Sequence, residues 1–116
     1  MNANEYIEHW DKNRIWEHLK WPRHQQRFKT IASYLYGKTF ADVGCAFGHS
    51  TFYLKRFRSG EWTGIDFVEK AIEKAGAKFQ GIDFRYLENI DALKFCSQFD
   101  GVVCSEVIEH DSFTSS

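Results

Sequence analysis

The segment "FADVGCAFGHST" (residues 40–51) reads as a buried strand, a glycine-punctuated loop and the start of a helix. Gly44 and Gly48 flank Cys45, Ala46 and Phe47. Glycine lets main-chain N–H groups approach a ligand closely. The helix that follows points its positive end at the same space. A dinucleotide loop would read G-x-G-x-x-G. Here the middle glycine is missing, and Phe47 puts bulk where a pyrophosphate needs bare backbone. The loop therefore suits a smaller anionic group, such as a carboxylate. Two acids frame it. Asp42 stands inside the end of the strand. Asp66 closes the next strand, 18 residues past Gly48. An acid at that place accepts hydrogen bonds from both hydroxyls of a ribose. A carboxylate-sized loop beside a ribose acid points to a nucleoside joined to an amino acid. It speaks against a nicotinamide-dependent oxidoreductase.

Other residues offer competing chemistry. In "SEVIEH", Glu106, Glu109 and His110 fall at i, i+3 and i+4. On a helix they would share one face and present donors for a divalent metal. The reading adopted is that Glu106 faces the ligand pocket while Glu109 and His110 make local hydrogen bonds, so no metal is expected. His9, His18, His24 and His49 read as surface or loop residues, His49 standing beside the glycine loop. "KRFR" (55–58) reads as a solvated helix end favoured by the helix dipole. Trp10, Trp16 and Trp21 read as residues that pack a cap helix onto a sheet. Cys45, Cys96 and Cys104 have no C-x-x-C spacing and read as reduced thiols in or near a core.

These groups need a scaffold. At 116 residues the chain makes one small domain. A net charge of −1 provides no global field for nucleic acid or anionic membrane. No apolar run approaches the roughly 20 residues a bilayer requires, and the N-terminus lacks a secretory apolar core. A cytoplasmic protein is expected. The first 36 residues read as helical. Pro22 suits a first helical turn, Phe28, Ile31, Ala32 and Leu35 form one apolar face, and Gly37 is the expected stop. Strands are expected at 39–44, 62–67, 83–88 and 99–107, and helices at 49–57 and 68–76, closed by Gly60 and Gly76 respectively. Thr51, Leu54 and Phe57 should share one side of the first of these helices. Residues 90–95 read as a short turn or helix. Strands alternating with helices imply a parallel sheet with right-handed crossovers. The expected architecture is an α/β, Rossmann-like parallel sheet of order 3-2-1-4. Its expected parts are an N-terminal helical cap (1–36), the ligand-binding domain (37–110) and a polar tail (111–116).

"FADVGCAFG", "WTGIDFVEKAIEKA", "RYLENIDALKF" and "FDGVVCSEVIEH" resemble, in order and spacing, the successive motifs of class I S-adenosylmethionine-dependent methyltransferases. They are most similar to the small-molecule branch that includes the ubiquinone-biosynthesis enzymes. The resemblance covers roughly residues 28–110. It implies that S-adenosyl-L-methionine is the cofactor and that Asp42 faces its ammonium group. It places Gly44, Cys45 and Gly48 against the methionine and ribose. It implies that Asp66 holds the ribose hydroxyls and Phe67 packs on the adenine. Aligning on "LKF" puts Asn89 and Ile90 at the adenine edge, with Asp91 as the competing position. Ser105 and Glu106 would border the transferring methyl. No catalytic residue is assigned, because in-line methyl transfer asks mainly for alignment and exclusion of water. The acceptor is expected to be a small molecule. "EVIEH" also resembles the E-x-x-E-H of metal-dependent small-RNA methyltransferases, but those use a further histidine downstream. A non-catalytic cofactor-binding or self-associating fragment of the fold is the other alternative.

Family members continue past this point to a seven-stranded sheet, whereas here "DSFTSS" follows His110. The sequence thus reads as truncated after the fourth strand. Strand 99–107 is then an exposed edge, through which the chain is expected to self-associate.

Overall fold

The structure is a computed structural model that describes residues 5, 8, 15–88 and 94–104. A 3-10 helix (Ile15–Lys20) leads into α1 (Pro22–Ser33), β1 (Thr39–Val43), α2 (His49–Phe57), β2 (Glu61–Asp66), α3 (Glu69–Lys78), β3 (Asp83–Tyr86) and β4 (Gly101–Val103). All strand pairs are parallel, in the order β3-β2-β1-β4. This is the expected Rossmann-like α/β sheet. Its centre, β1 and β2, is buried nearly throughout, as a parallel sheet covered on both faces requires.

Alternation along the strands divides the core in two. Phe40 and Trp62 face the helices and pack with Leu19, Phe28, Tyr53, Leu54 and Val103. Phe28 of α1 stacks on Tyr53 of α2 with ring centroids 5.7 Å apart, so these two helices lie side by side. Ala41 and Ile65 face the other way, toward Leu87, Phe95, Cys96 and Phe99. Each large apolar side chain removed from water in this way contributes about 1.5–3 kcal/mol.

Asp100 joins the two ends of the sequence pattern. Its Oδ2 accepts the N–H groups of Lys38 (2.7 Å) and Thr39 (3.1 Å), and its own N–H donates to the Thr39 carbonyl at 2.9 Å. The start of β4 is thereby fastened to the start of β1.

The helix expected at 49–57 is observed with those bounds, while other helix ends depart from the sequence pattern. α3 runs through Gly76 to Lys78. Nothing lies near the position a Gly76 side chain would occupy, so this glycine is tolerated on an open helix surface rather than ending the helix. α1 ends at Ser33, ahead of Gly37. There the chain leaves the helix to reach the next strand before the glycine arrives. Phe57 is exposed, unlike Thr51 and Leu54, because it falls in the last turn, beyond the core. Residues 15–20, expected as part of a longer helix, form the tighter 3-10 type.

Gly64 pairs with Phe84 across β2 and β3. A Cβ built on Gly64 would fall 2.5 Å from Phe84 Cδ1 and 3.1 Å from Cys45 Sγ. The Phe84 ring occupies the space that Gly64 leaves open. Gly64→Ala is expected to destabilise the fold by about 1–3 kcal/mol through overpacking, read as a lower denaturation midpoint.

Candidate functional site

The chain turns from β1 into α2 through residues 44–48, at the carboxyl end of the sheet where ligands bind in open α/β folds. Gly48, with φ +92°, starts α2 in the left-handed region. A Cβ there would lie 2.8 Å from Phe84 Cζ and 3.0 Å from Phe79 Cδ2. Backbone conformation and space both require glycine.

The loop is closed largely on its own chain. The Gly44 and Cys45 N–H groups both donate to the Ile65 carbonyl, at 2.7 and 3.1 Å, and Gly48 N–H donates to the Cys45 carbonyl at 2.9 Å. Ala46 N–H donates to Asp66 Oδ2 at 2.8 Å. These four amides, among them those of Gly44, Cys45 and Gly48 expected against a ligand, are committed within the protein. Sequence spacing cannot distinguish a loop that offers its amides from one that binds them to the neighbouring strand. Ala46 is also the one non-glycine residue at positive φ among those described, at +49°.

Asp42 is fully buried, and its Oδ2 accepts the hydroxyls of Ser50 (2.7 Å) and Thr51 (2.8 Å). It holds the first turn of α2 against the end of β1. The sequence pattern places Thr51 only on the packed side of the helix and does not mark Ser50. The signal is "HST" directly after Gly48, which puts two hydroxyls in the first turn of the helix that follows a strand-end acid.

Asp66 lies at the mouth of the loop, 6% exposed. Oδ1 accepts Val68 N–H at 2.9 Å while Oδ2 takes Ala46. Burial raises its carboxyl above the ordinary carboxylate range, and the N–H groups of Ala46, Val68 and Phe67 partly oppose that shift. Phe67, the next residue, is 50% exposed and offers an apolar ring beside the acid. The Cys45 thiol is buried, so Cys45 could meet a ligand only through its backbone. Asn89, Ile90, Asp91, Ser105 and Glu106 lie outside the described residues, as do Trp10, Glu109 and His110.

His49, read from the sequence as a surface or loop residue, is buried at 7% exposure. Its ring meets Phe79 edge-on at 5.1 Å. Burial, then the charges of Lys78 and Lys20, lower its pKa to about 4. Between about pH 4 and 6.5 the unfolded chain therefore takes up a proton at this position that the folded chain refuses. Stability is expected to fall as pH drops through that window, and His49→Gln to flatten the fall, read as melting temperature against pH.

Residues 40–115 match the family described as Methyltransferase domain. The chain belongs to this family. S-adenosyl-L-methionine is the cofactor of these methyltransferases. The methyltransferase domain is similar in fold to the plantazolicin methyltransferase BpumL, solved with a monoazolic desmethylPZN analog and SAH, its titled ligands. That match has 22% identity and a TM-score of 0.53, and covers 72% of this chain and 34% of BpumL. BamL, solved with a triazolic desmethylPZN analog and SAH, matches with 22% identity and a TM-score of 0.54, covering 80% of this chain and 39% of that one. A putative caffeoyl-CoA O-methyltransferase from Staphylococcus aureus matches with 13% identity and a TM-score of 0.57, covering 83% and 51%. The methyltransferase domain thus spans between a third and a half of the length of these proteins. No curated protein sequence matches it. Among its described residues no helix is long and apolar enough to cross a membrane.

Proposed function

We propose that this chain binds S-adenosyl-L-methionine at the carboxyl ends of β1 and β2 and belongs to an enzyme that methylates a small molecule. The observation that carries this reading is Asp66, whose two carboxylate oxygens stand at the mouth of the loop beside the exposed ring of Phe67. Oδ1 accepts the Val68 N–H and Oδ2 the Ala46 N–H, out of about four lone-pair sites that a carboxylate offers. The pair of oxygens fits the two hydroxyls of a ribose, and Phe67 fits the adenine face. When bound, the cofactor supplies an electrophilic methyl on its sulfonium.

In this reading Asp66 orients the ribose, and Gly44, Cys45 and Gly48 form the backbone wall along the methionine portion. Asp42 supports that wall through Ser50 and Thr51, rather than touching the ammonium group itself. Asn89, Ile90 or Asp91 borders the adenine, and Ser105 and Glu106 border the methyl. A small-molecule acceptor agrees with the chain's net charge of −1 and with the plantazolicin analogs bound by BpumL and BamL. Calorimetry with S-adenosylhomocysteine tests the reading. Saturable heat at micromolar to low-millimolar ligand is expected, and none at millimolar ligand removes it.

A second proposal concerns β4. Val102 is 43% exposed, and no strand among the described residues pairs with β4 on the side away from β1. Self-association along this strand is expected as concentration-dependent sedimentation that Val102→Lys abolishes. A monomer at every concentration excludes it.

A further inference from the structure

Resting on the cofactor reading above, we infer that Asp66 is a shared acceptor that hands the glycine loop over to the ligand: it pins Ala46 in the free chain and releases it when ribose binds. The pin is the 2.8 Å hydrogen bond from Ala46 N–H to Asp66 Oδ2. The second oxygen is occupied by Val68 N–H at 2.9 Å, and the side chain is almost closed to solvent. A ribose diol presents two donors side by side and needs both oxygens of one carboxylate turned toward it. Asp66 reaches that orientation by leaving Ala46.

The loop is built to make that exchange possible. Ala46 is held at φ +49°, a conformation that costs an L-residue energy and persists only when its surroundings enforce it. Gly44 and Cys45 are secured independently through the Ile65 carbonyl, and Gly48 through Cys45. Of these four turn amides, that of the strained residue is the one that goes to the acid the ligand requires. Release of Asp66 therefore frees one strained residue without dismantling the turn.

The test uses the whole chain and S-adenosylhomocysteine. Ala46→Gly removes the strain from the pinned state alone. It is expected to raise the melting temperature and to weaken ligand binding by about fivefold, given the cost of a left-handed alanine. A rise in melting temperature with unchanged or tighter binding overturns the handover. In a second arm without ligand, Asp66→Asn is expected to speed amide exchange at Ala46 relative to wild type. Unchanged exchange overturns the pin. If wild type binds nothing while Asp66→Asn still speeds exchange, the cofactor reading fails and the handover with it. If wild type binds and Ala46→Gly binds equally well, the handover alone fails.

Discussion

Asp66→Ala is expected to weaken S-adenosylhomocysteine binding by about 1.5–3 kcal/mol, a loss of roughly ten- to 150-fold in Kd, because two charge-assisted hydrogen bonds go together. The same carboxylate takes main-chain N–H groups from Ala46 and Val68, so circular dichroism must first show that the variant is folded. Asp66→Asn separates the two roles. It preserves the shape of the side chain but replaces one acceptor oxygen with a donor, and it should lose most of the affinity with less loss of stability. Since burial holds the Asp66 carboxyl above its usual range, wild-type affinity should fall with decreasing pH sooner than an exposed aspartate would allow. Protonation removes an acceptor from the ribose. Affinity equal in Asp66→Ala and wild type would contradict the assignment.

Asp42→Ala is expected to cost about 2–4 kcal/mol of folding stability, because two buried hydroxyls lose their acceptor at once. Ser50 and Thr51 both converge on Asp42 Oδ2, and no water reaches the side chain to replace it. The double variant Ser50→Ala, Thr51→Val leaves the acid without these donors. In a thermodynamic cycle the three side chains should therefore show strong coupling. If Asp42 served the ligand rather than the fold, Asp42→Ala would lower affinity while leaving the denaturation midpoint near wild type.

The sheet was legible in the sequence because its signals are local and repeated. "TFADV" and "EWTGID" are continuous buried strands, each followed by a helix with an apolar face, and that alternation leaves few topologies open. The loop was legible as a loop, through Gly44 and Gly48, and Asp66 through its place at a strand end. What could not be read was where the loop's polar atoms go. Whether Ala46 N–H faces a ligand or Asp66 depends on side-chain direction on the neighbouring strand. Asp42 looked like a ligand group for the same reason, since its partners emerge only once β1 and α2 are packed together. Helix ends were misread at Gly76, where the expected stop is an exposed interior position. His49 was misread because its burial comes from Phe79, thirty residues further along the chain.

The fastening of Asp100 to Lys38 and Thr39 bridges 61 and 62 residues of chain. During synthesis on the ribosome, β1 emerges long before the strand that flanks it on that side. Until Gly101–Val103 has been made, one edge of the central strand has no native neighbour. Parallel pairing over such separations closes slowly, so the nascent protein passes through a stage open to mispairing with other chains. Translation speed through the stretch between β1 and β4, and chaperone access during that interval, should therefore influence how much of this protein reaches its folded form.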